Sequence, residues 1–310
     1  MKRSHNFRLF AALGMLAAMP AHAQLQPGTV SNIMPLGDSI TRGSGDGYGN
    51  YRRPLQSLLT NGGYSAQFVG ANTEQSYNYS GTDPGQTFNP YQPNHEGYGL
   101  LRIDQIGGNS PATDDGGVVY PGLQATIASD QPGIILLMIG TNDVTQNYDP
   151  GRPGYGGATG FGADAAQRLN TLVGSIFTYA PGVTVVLGSI TPRTDTTLEA
   201  QGQSYNAFIP QIASRYNGLG DHVVFADMHA ALQNTALYIS ADGTHPTTAG
   251  YDRMAQTWYS ALTAAPEPSA MTSLGIGFLT LGVLAGMAWK KRPDKCAVLP
   301  SLSAPLTSNH

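Results

Sequence analysis

Six consecutive apolar residues, Ile134-Ile135-Leu136-Leu137-Met138-Ile139, constrain this chain more than any other feature. A strand with one wet face alternates apolar and polar residues; a run without alternation belongs to a strand buried on both faces, at the centre of a parallel sheet covered by helices. Four similar short runs lie at Asn32 to Leu36, Ala66 to Val69, Thr184 to Gly188 and His222 to Ala226, and Gly133 to Ile139 is third in chain order. Between them fall stretches of helical period at Tyr51 to Thr60, Leu123 to Ala128, Ala163 to Ala180, Glu199 to Tyr216 and Thr247 to Leu262. The alternation predicts an α/β fold with a five-stranded parallel sheet and crossover helices. Two long segments interrupt it: Tyr77 to Asn94, rich in Tyr, Pro and Asn, and Asn147 to Gly162, with six glycines in sixteen residues. Loops of this length in a compact domain are functional or disordered.

Both ends of the 310-residue chain read as addresses rather than fold. Residues 1–23 carry Lys2, Arg3 and Arg8, an apolar stretch from Leu9 to Met19, and Ala21-His22-Ala23, the small-x-small pattern of a signal peptidase site. Export is the expectation. Residues 270–289 hold no charge and are followed by Lys290, Lys291 and Arg292. At about 1.5 Å per residue the segment reaches about 30 Å, the hydrocarbon thickness of a bilayer, and the basic cluster places the preceding domain on the outer side. A buried core helix is the alternative for that segment. Residues 293–310 are then a short cytoplasmic tail.

What remains, residues 24–265, is one domain's length of chain. It has nine Arg, no Lys and eighteen acidic residues, a formal charge of −9. Such a surface repels phosphate backbones and argues against nucleic acid and anionic lipid as partners. The only cysteine, Cys296, lies beyond the apolar segment, so the domain has no disulfide and no thiol chemistry.

Three motifs carry chemistry. Gly37-Asp38-Ser39-Ile40 follows the first strand, which puts Ser39 at the carboxyl edge of the sheet, where open α/β folds build their sites. It is not the G-x-S-x-G elbow, because Thr41 stands at the second glycine position. Asp242-Gly243-Thr244-His245-Pro246 offers a base with an orienting carboxylate three residues away, in a turn before a helix with Pro246 at or near its first position. Gly140-Thr141-Asn142-Asp143 follows the third strand and brings a side-chain amide to the same edge, where it can donate to an oxyanion beside the Ser39 amide. Taken singly, each motif is equally a capped turn. Three in this order, each near a strand end, point to acyl transfer by a serine nucleophile.

These residues resemble the SGNH/GDSL hydrolases: Gly37-Asp38-Ser39, Gly140-Thr141-Asn142-Asp143 and Asp242-x-x-His245 look like blocks one, three and five of that family, over about Asn32 to Leu262. The resemblance implies a flavodoxin-like three-layer fold with strand order 2-1-3-4-5. It also implies Ser39 as nucleophile, His245 as base, Asp242 as its orienter, and Ser39, Asn142 and a block-two glycine as oxyanion donors. His95-Glu96-Gly97-Tyr98-Gly99-Leu100-Leu101-Arg102-Ile103 resembles block two of the acetylxylan esterases of carbohydrate esterase family three. Those proteins usually carry a second glycine three places after the first, where Leu100 stands here. Gly99 is assigned the donor role, with Gly97 and the Leu100 main-chain amide as alternatives. Tyr51-Arg52, Phe68-Val69-Gly70 and Asp227-Met228-His229 resemble the same subgroup, which implies an O-acetylated polysaccharide as substrate.

Pro266-Glu267-Pro268-Ser269, the apolar segment and the basic cluster (residues 266–292) resemble a PEP-CTERM sorting signal, although the chain runs on to His310. That likeness implies an exosortase-type processing partner, transient membrane anchoring through 270–289, cleavage near Pro266 and release to the cell surface or matrix. The expected chemistry needs no cofactor. None of the seven histidines pairs with another at metal-ligand spacing, so no metal is expected. Two other functions fit parts of the sequence: a lipase or lysophospholipase on the same fold, and a glycan-binding protein with vestigial catalytic residues.

Overall fold

The computed structural model describes residues 25, 27–44, 50–73, 93–146 and 158–264. The expected leader, the apolar segment with its basic cluster, and most of the two long loops lie outside the described residues. Among the described residues, no helix is long and apolar enough to cross a membrane.

Strand β1 (Val30–Gly37) leads into the one-turn helix α1 (Ser39–Arg42), and α2 (Arg52–Asn61) returns the chain to β2 (Ser65–Phe68). A two-residue strand, β3 (Glu96–Gly97), precedes α3 (Ile103–Gly107), a hairpin of β4 (Ala112–Thr113) and β5 (Val119–Tyr120), and α4 (Leu123–Asp130). Next come β6 (Ile134–Met138), α5 (Thr141–Gln146), α6 (Ala158–Tyr179) and β7 (Thr184–Gly188). The helices α7 (Thr196–Asn206) and α8 (Ile209–Gly218), strand β8 (His222–Ala226), short α9 (Met228–Ala231) and α10 (Thr235–Tyr238), and long α11 (Thr248–Thr263) follow.

The sheet runs β2-β1-β6-β7-β8 with every pairing parallel; over these five strands, counted in chain order, that is 2-1-3-4-5. The strand count departs from the expected five. Strand β2 ends opposite Ile33, and β3 takes up the edge of β1 beyond it, setting Glu96 against Leu36 and Gly97 against Gly37. Two residues are too few to show a period, so this strand left no trace in the sequence pattern.

The apolar run of β6 divides by parity, as an all-buried strand must. Ile134, Leu136 and Met138 pack with Leu55 and Leu59 of α2 and Met254 and Trp258 of α11. Ile135 and Leu137, with Ile139 just beyond the strand, face the other layer, with Leu169, Val173 and Ile176 of α6 and Ile212 of α8. Two predicted helices differ from those observed. Glu199 to Tyr216 is two helices, because Pro210 has no N–H to continue the ladder and sits in the first turn of a new one. The long helix α6 begins at Ala158, so the last residues of the glycine-rich loop are already helical.

Candidate active site

At the carboxyl end of β1 the backbone comes so close to β6 that a methyl group on Gly37 would lie 2.1 Å from the Met138 carbonyl oxygen. The chain therefore turns without side-chain obstruction, and Asp38 caps α1 by accepting the Ile40 amide at 3.0 Å. Ser39 opens the helix and is nearly buried, at 7% exposure, and its amide has no acceptor among the described residues. The other end of α1 is held by Arg52, which is fully buried and donates to the carbonyls of Thr41 and Arg42. Burial pushes the Asp38 carboxyl up to about 6, against the pull of the Ile40 amide, the Thr141 hydroxyl and the charges of His245 and Arg193.

His245 reaches Ser39 from the far end of the chain. Gly243, at φ 73°, lets the segment between α10 and α11 fold back so that the Ser240 amide meets the His245 carbonyl and the Gly243 amide meets the Ser240 carbonyl. The Asp242 carboxylate sits inside this turn. Its Oδ1 accepts from the amides of Thr244 (2.8 Å) and His245 (2.9 Å) and from the Ser240 hydroxyl (2.8 Å), and its Oδ2 lies 2.6 Å from His245 Nδ1. Partial burial raises the Asp242 carboxyl, but these hydrogen bonds outweigh it and hold the group well below the usual carboxylate range. An ionised carboxylate only accepts, so Nδ1 carries the proton and Nε2 is left to accept from the Ser39 hydroxyl, 2.8 Å away. Pro246, expected at or near the first position of the helix, lies just before its cap. It bridges to Ile239, and Thr247 caps α11 instead.

Asn142 lies in the first turn of α5, directly after β6. One of its Nδ2 protons goes to the Leu101 carbonyl at 3.0 Å, which leaves the second available. Its neighbour Asp143 grips the same segment, accepting the Ile103 amide at 3.0 Å while Arg168 neutralises it at 2.8 Å. Block two is thereby tied to the helix that carries Asn142. Within it the Gly97 amide donates to His95 Nδ1 at 3.0 Å and the Tyr98 amide to the Gly37 carbonyl, so neither is free. The amides of Gly99 and Leu100 have no acceptor among the described residues. Gly99 is required for packing as well, since a methyl group there would lie 2.1 Å from Asp115 Oδ1.

The structure thus gathers Ser39, Asp242 and His245 in one hydrogen-bonded line and anchors Asn142 to block two. It also places a residue that sequence reasoning missed. Arg193 follows β7, is 5% exposed, and sends Nη2 to Thr145 Oγ1 on α5 at 3.2 Å. Its main chain is set by Glu199, which accepts the Arg193 amide at 2.7 Å and is itself met by His229 at 2.7 Å. The next residue, Thr194, donates its amide to the Gly243 carbonyl of the histidine turn. Burial lowers the guanidinium's pKa, and the charges of Asp38 and Asp242 raise it. The available signal was an arginine shortly after a predicted strand in a domain without lysine. Among the described residues, no three of His, Cys, Asp and Glu are grouped so as to hold a metal ion.

Residues 33–258 match the family described as GDSL-like Lipase/Acylhydrolase. A multidomain esterase of Ruminococcus flavefaciens is 29% identical over 262 residues, covering 81% of this chain and 31% of that protein. A putative endoglucanase X of Acetivibrio thermocellus is 28% identical over 149 residues, 47% of this chain and 58% of that protein. The chain thus spans about a third and somewhat over half of the lengths of these two relatives. Among solved structures, the Clostridium thermocellum family 3 carbohydrate esterase is 28% identical with a TM-score of 0.57, covering 75% of this chain and 95% of that one. A family 3 carbohydrate esterase from Talaromyces cellulolyticus shares the fold at 23% identity and a TM-score of 0.57, over 75% of this chain and 96% of that one.

Proposed function

The chain belongs to the GDSL-like lipase/acylhydrolase family, and on that premise we propose that it is a carboxylic-ester hydrolase that removes O-acetyl groups from a polysaccharide through an acyl-enzyme. One observation carries the reading: the line from Ser39 Oγ to His245 Nε2 at 2.8 Å and from His245 Nδ1 to Asp242 Oδ2 at 2.6 Å. Similarity to a family 3 carbohydrate esterase over three quarters of the chain supports the substrate class.

In the first step the Ser39 oxygen attacks the ester carbon and its proton passes to His245 Nε2. Negative charge then develops on the carbonyl oxygen. Its donors are the Ser39 amide, the second Nδ2 proton of Asn142 and an amide of the Gly99-Leu100 pair, none of which has another acceptor among the described residues. The bond to the sugar oxygen breaks, and that oxygen takes the proton from His245. Water attacks the resulting acetyl-Ser39 with His245 again accepting a proton; acetate leaves and the serine regains its hydrogen. Asp242 stays ionised throughout and keeps Nδ1 protonated. Replacing Ser39 with Ala should abolish p-nitrophenyl acetate turnover while leaving the circular dichroism spectrum intact; a variant that still turns over the ester refutes this role for Ser39.

Residues 1–23 and 266–292 extend the proposal to export across the inner membrane, anchoring through 270–289 and release by an exosortase-type enzyme. Activity recovered only from the cytoplasmic fraction of the producing cell would overturn that part.

A further inference from the structure

Leu100 is one of two non-glycine residues among the described residues with a left-handed backbone, at φ 61°. The residue is 54% exposed, between Gly99 and Leu101, both buried. Glycine would adopt this backbone at lower cost, and an exposed aliphatic group gains little from folding to offset the difference. The conformation is nevertheless held firmly. The Leu100 carbonyl accepts Gln146 Nε2 at 3.0 Å, and the next carbonyl, of Leu101, accepts Asn142 Nδ2 at 3.0 Å. Arg102 Nη1 donates to Gln146 Oε1 at 2.8 Å, which completes a rim of one aliphatic, one amide and one guanidinium side chain beside the site. Unfavourable backbone held by its surroundings at a functional edge points to a use for the side chain it carries.

We propose that Leu100 is a specificity-determining residue: its isobutyl group takes the apolar C–H face of the sugar that bears the ester, with Gln146 and Arg102 beside it to meet ring hydroxyls. The inference rests on the esterase reading above and deepens it. Leu100 is exposed, so it meets the part of the substrate that stays outside the reacting centre, which for an O-acetyl glycan is the sugar. A ring with an apolar face and polar edges matches one aliphatic group flanked by hydrogen-bonding groups.

The test compares acetylated xylan with p-nitrophenyl acetate for the full chain carrying Leu100→Gly, Leu100→Asn or Leu100→Met. Glycine and asparagine both tolerate the left-handed backbone, so these variants remove apolar surface without adding strain. The ratio of kcat/KM on the polymer to kcat/KM on the small ester should fall about tenfold in both, the scale of a lost apolar contact; any change in the oxyanion amide acts on both esters and cancels in the ratio. Methionine should restore most of the ratio, and the glycine variant should melt no lower than the parent. An unchanged ratio in both variants, or a methionine variant as impaired as they are, overturns the proposal. If the parent turns over p-nitrophenyl acetate but frees no acetate from acetylated xylan, the polysaccharide reading falls and this inference with it. A parent inactive on both esters sinks the esterase assignment itself.

Discussion

At the scale of single residues, the site separates what a motif reveals from what only contact reveals. Ser39, Asn142, Asp242 and His245 were legible because each sits in a short polar motif close to an element boundary, where a side chain has little other reason to be specified. The choice within block two was not, since excluding Gly97 depends on the Nδ1 atom of His95 reaching back to its amide. Arg193 was hidden for the same reason: its partners are Thr145 of α5 and Glu199, and it is the neighbouring Thr194 that bonds to the histidine turn. Replacing Asn142 with Ala should lower kcat on p-nitrophenyl acetate by about 10²- to 10³-fold, as expected for one lost oxyanion donor, with a much smaller change in KM. Asp242→Asn should lower kcat by about 10⁴-fold, because an amide at that place no longer fixes the tautomer that leaves Nε2 unprotonated. Steady-state kinetics on purified variants checks both.

Elements were legible in proportion to their length. Strands β6, β7 and β8 declared themselves through apolar runs, whereas α1 and α5, which carry Ser39 and Asn142, and β3, which leads into Gly99-Leu100, have two to six residues each and no periodicity to read. The last of these carries a testable electrostatic cost. Glu96 of β3 is pushed from an ordinary 4.5 up to about 7, chiefly by burial and with the Asp130 charge adding, against hydrogen bonds from the Tyr98 hydroxyl and the Ala71 amide. The native state thus keeps a proton that the unfolded chain has lost. This group's contribution to stability is complete below the unfolded value and is lost as pH rises through about 7. The melting temperature of Glu96→Gln should therefore decline less than the parent's between about pH 5 and about pH 8; part of the slope remains, because Asp38 is shifted in the same direction. At the end of β6, Gly140 has φ 125° and a methyl group there would lie 2.7 Å from the Tyr205 ring. Gly140→Ala should cost more than about 1 kcal/mol in urea denaturation, and it should impair kcat too, because Asn142 is only two residues on.

Taken whole, the molecule was legible as a layered α/β domain because both faces of β6 are apolar, and that pattern has few other solutions. How the active edge is assembled was less so, since it joins segments from both ends of the domain: Ser39 and His245 stand 206 positions apart. A chain trimmed to residues 24–265 should keep the kcat of the full protein on p-nitrophenyl acetate, because every contact described around Ser39 falls inside it; a loss beyond about tenfold would show that the remaining residues contribute to turnover.

Helix α11 begins beside the catalytic edge, where the Tyr251 hydroxyl meets the Ser44 carbonyl, and descends its sixteen residues toward Gly62, just ahead of the start of β2. That is a drop of about 24 Å. Leu25, ahead of β1, packs in the same layer as Leu262 near the helix's end. A tether attached beyond Thr263 would therefore have the full length of this helix between it and the edge that carries Ser39.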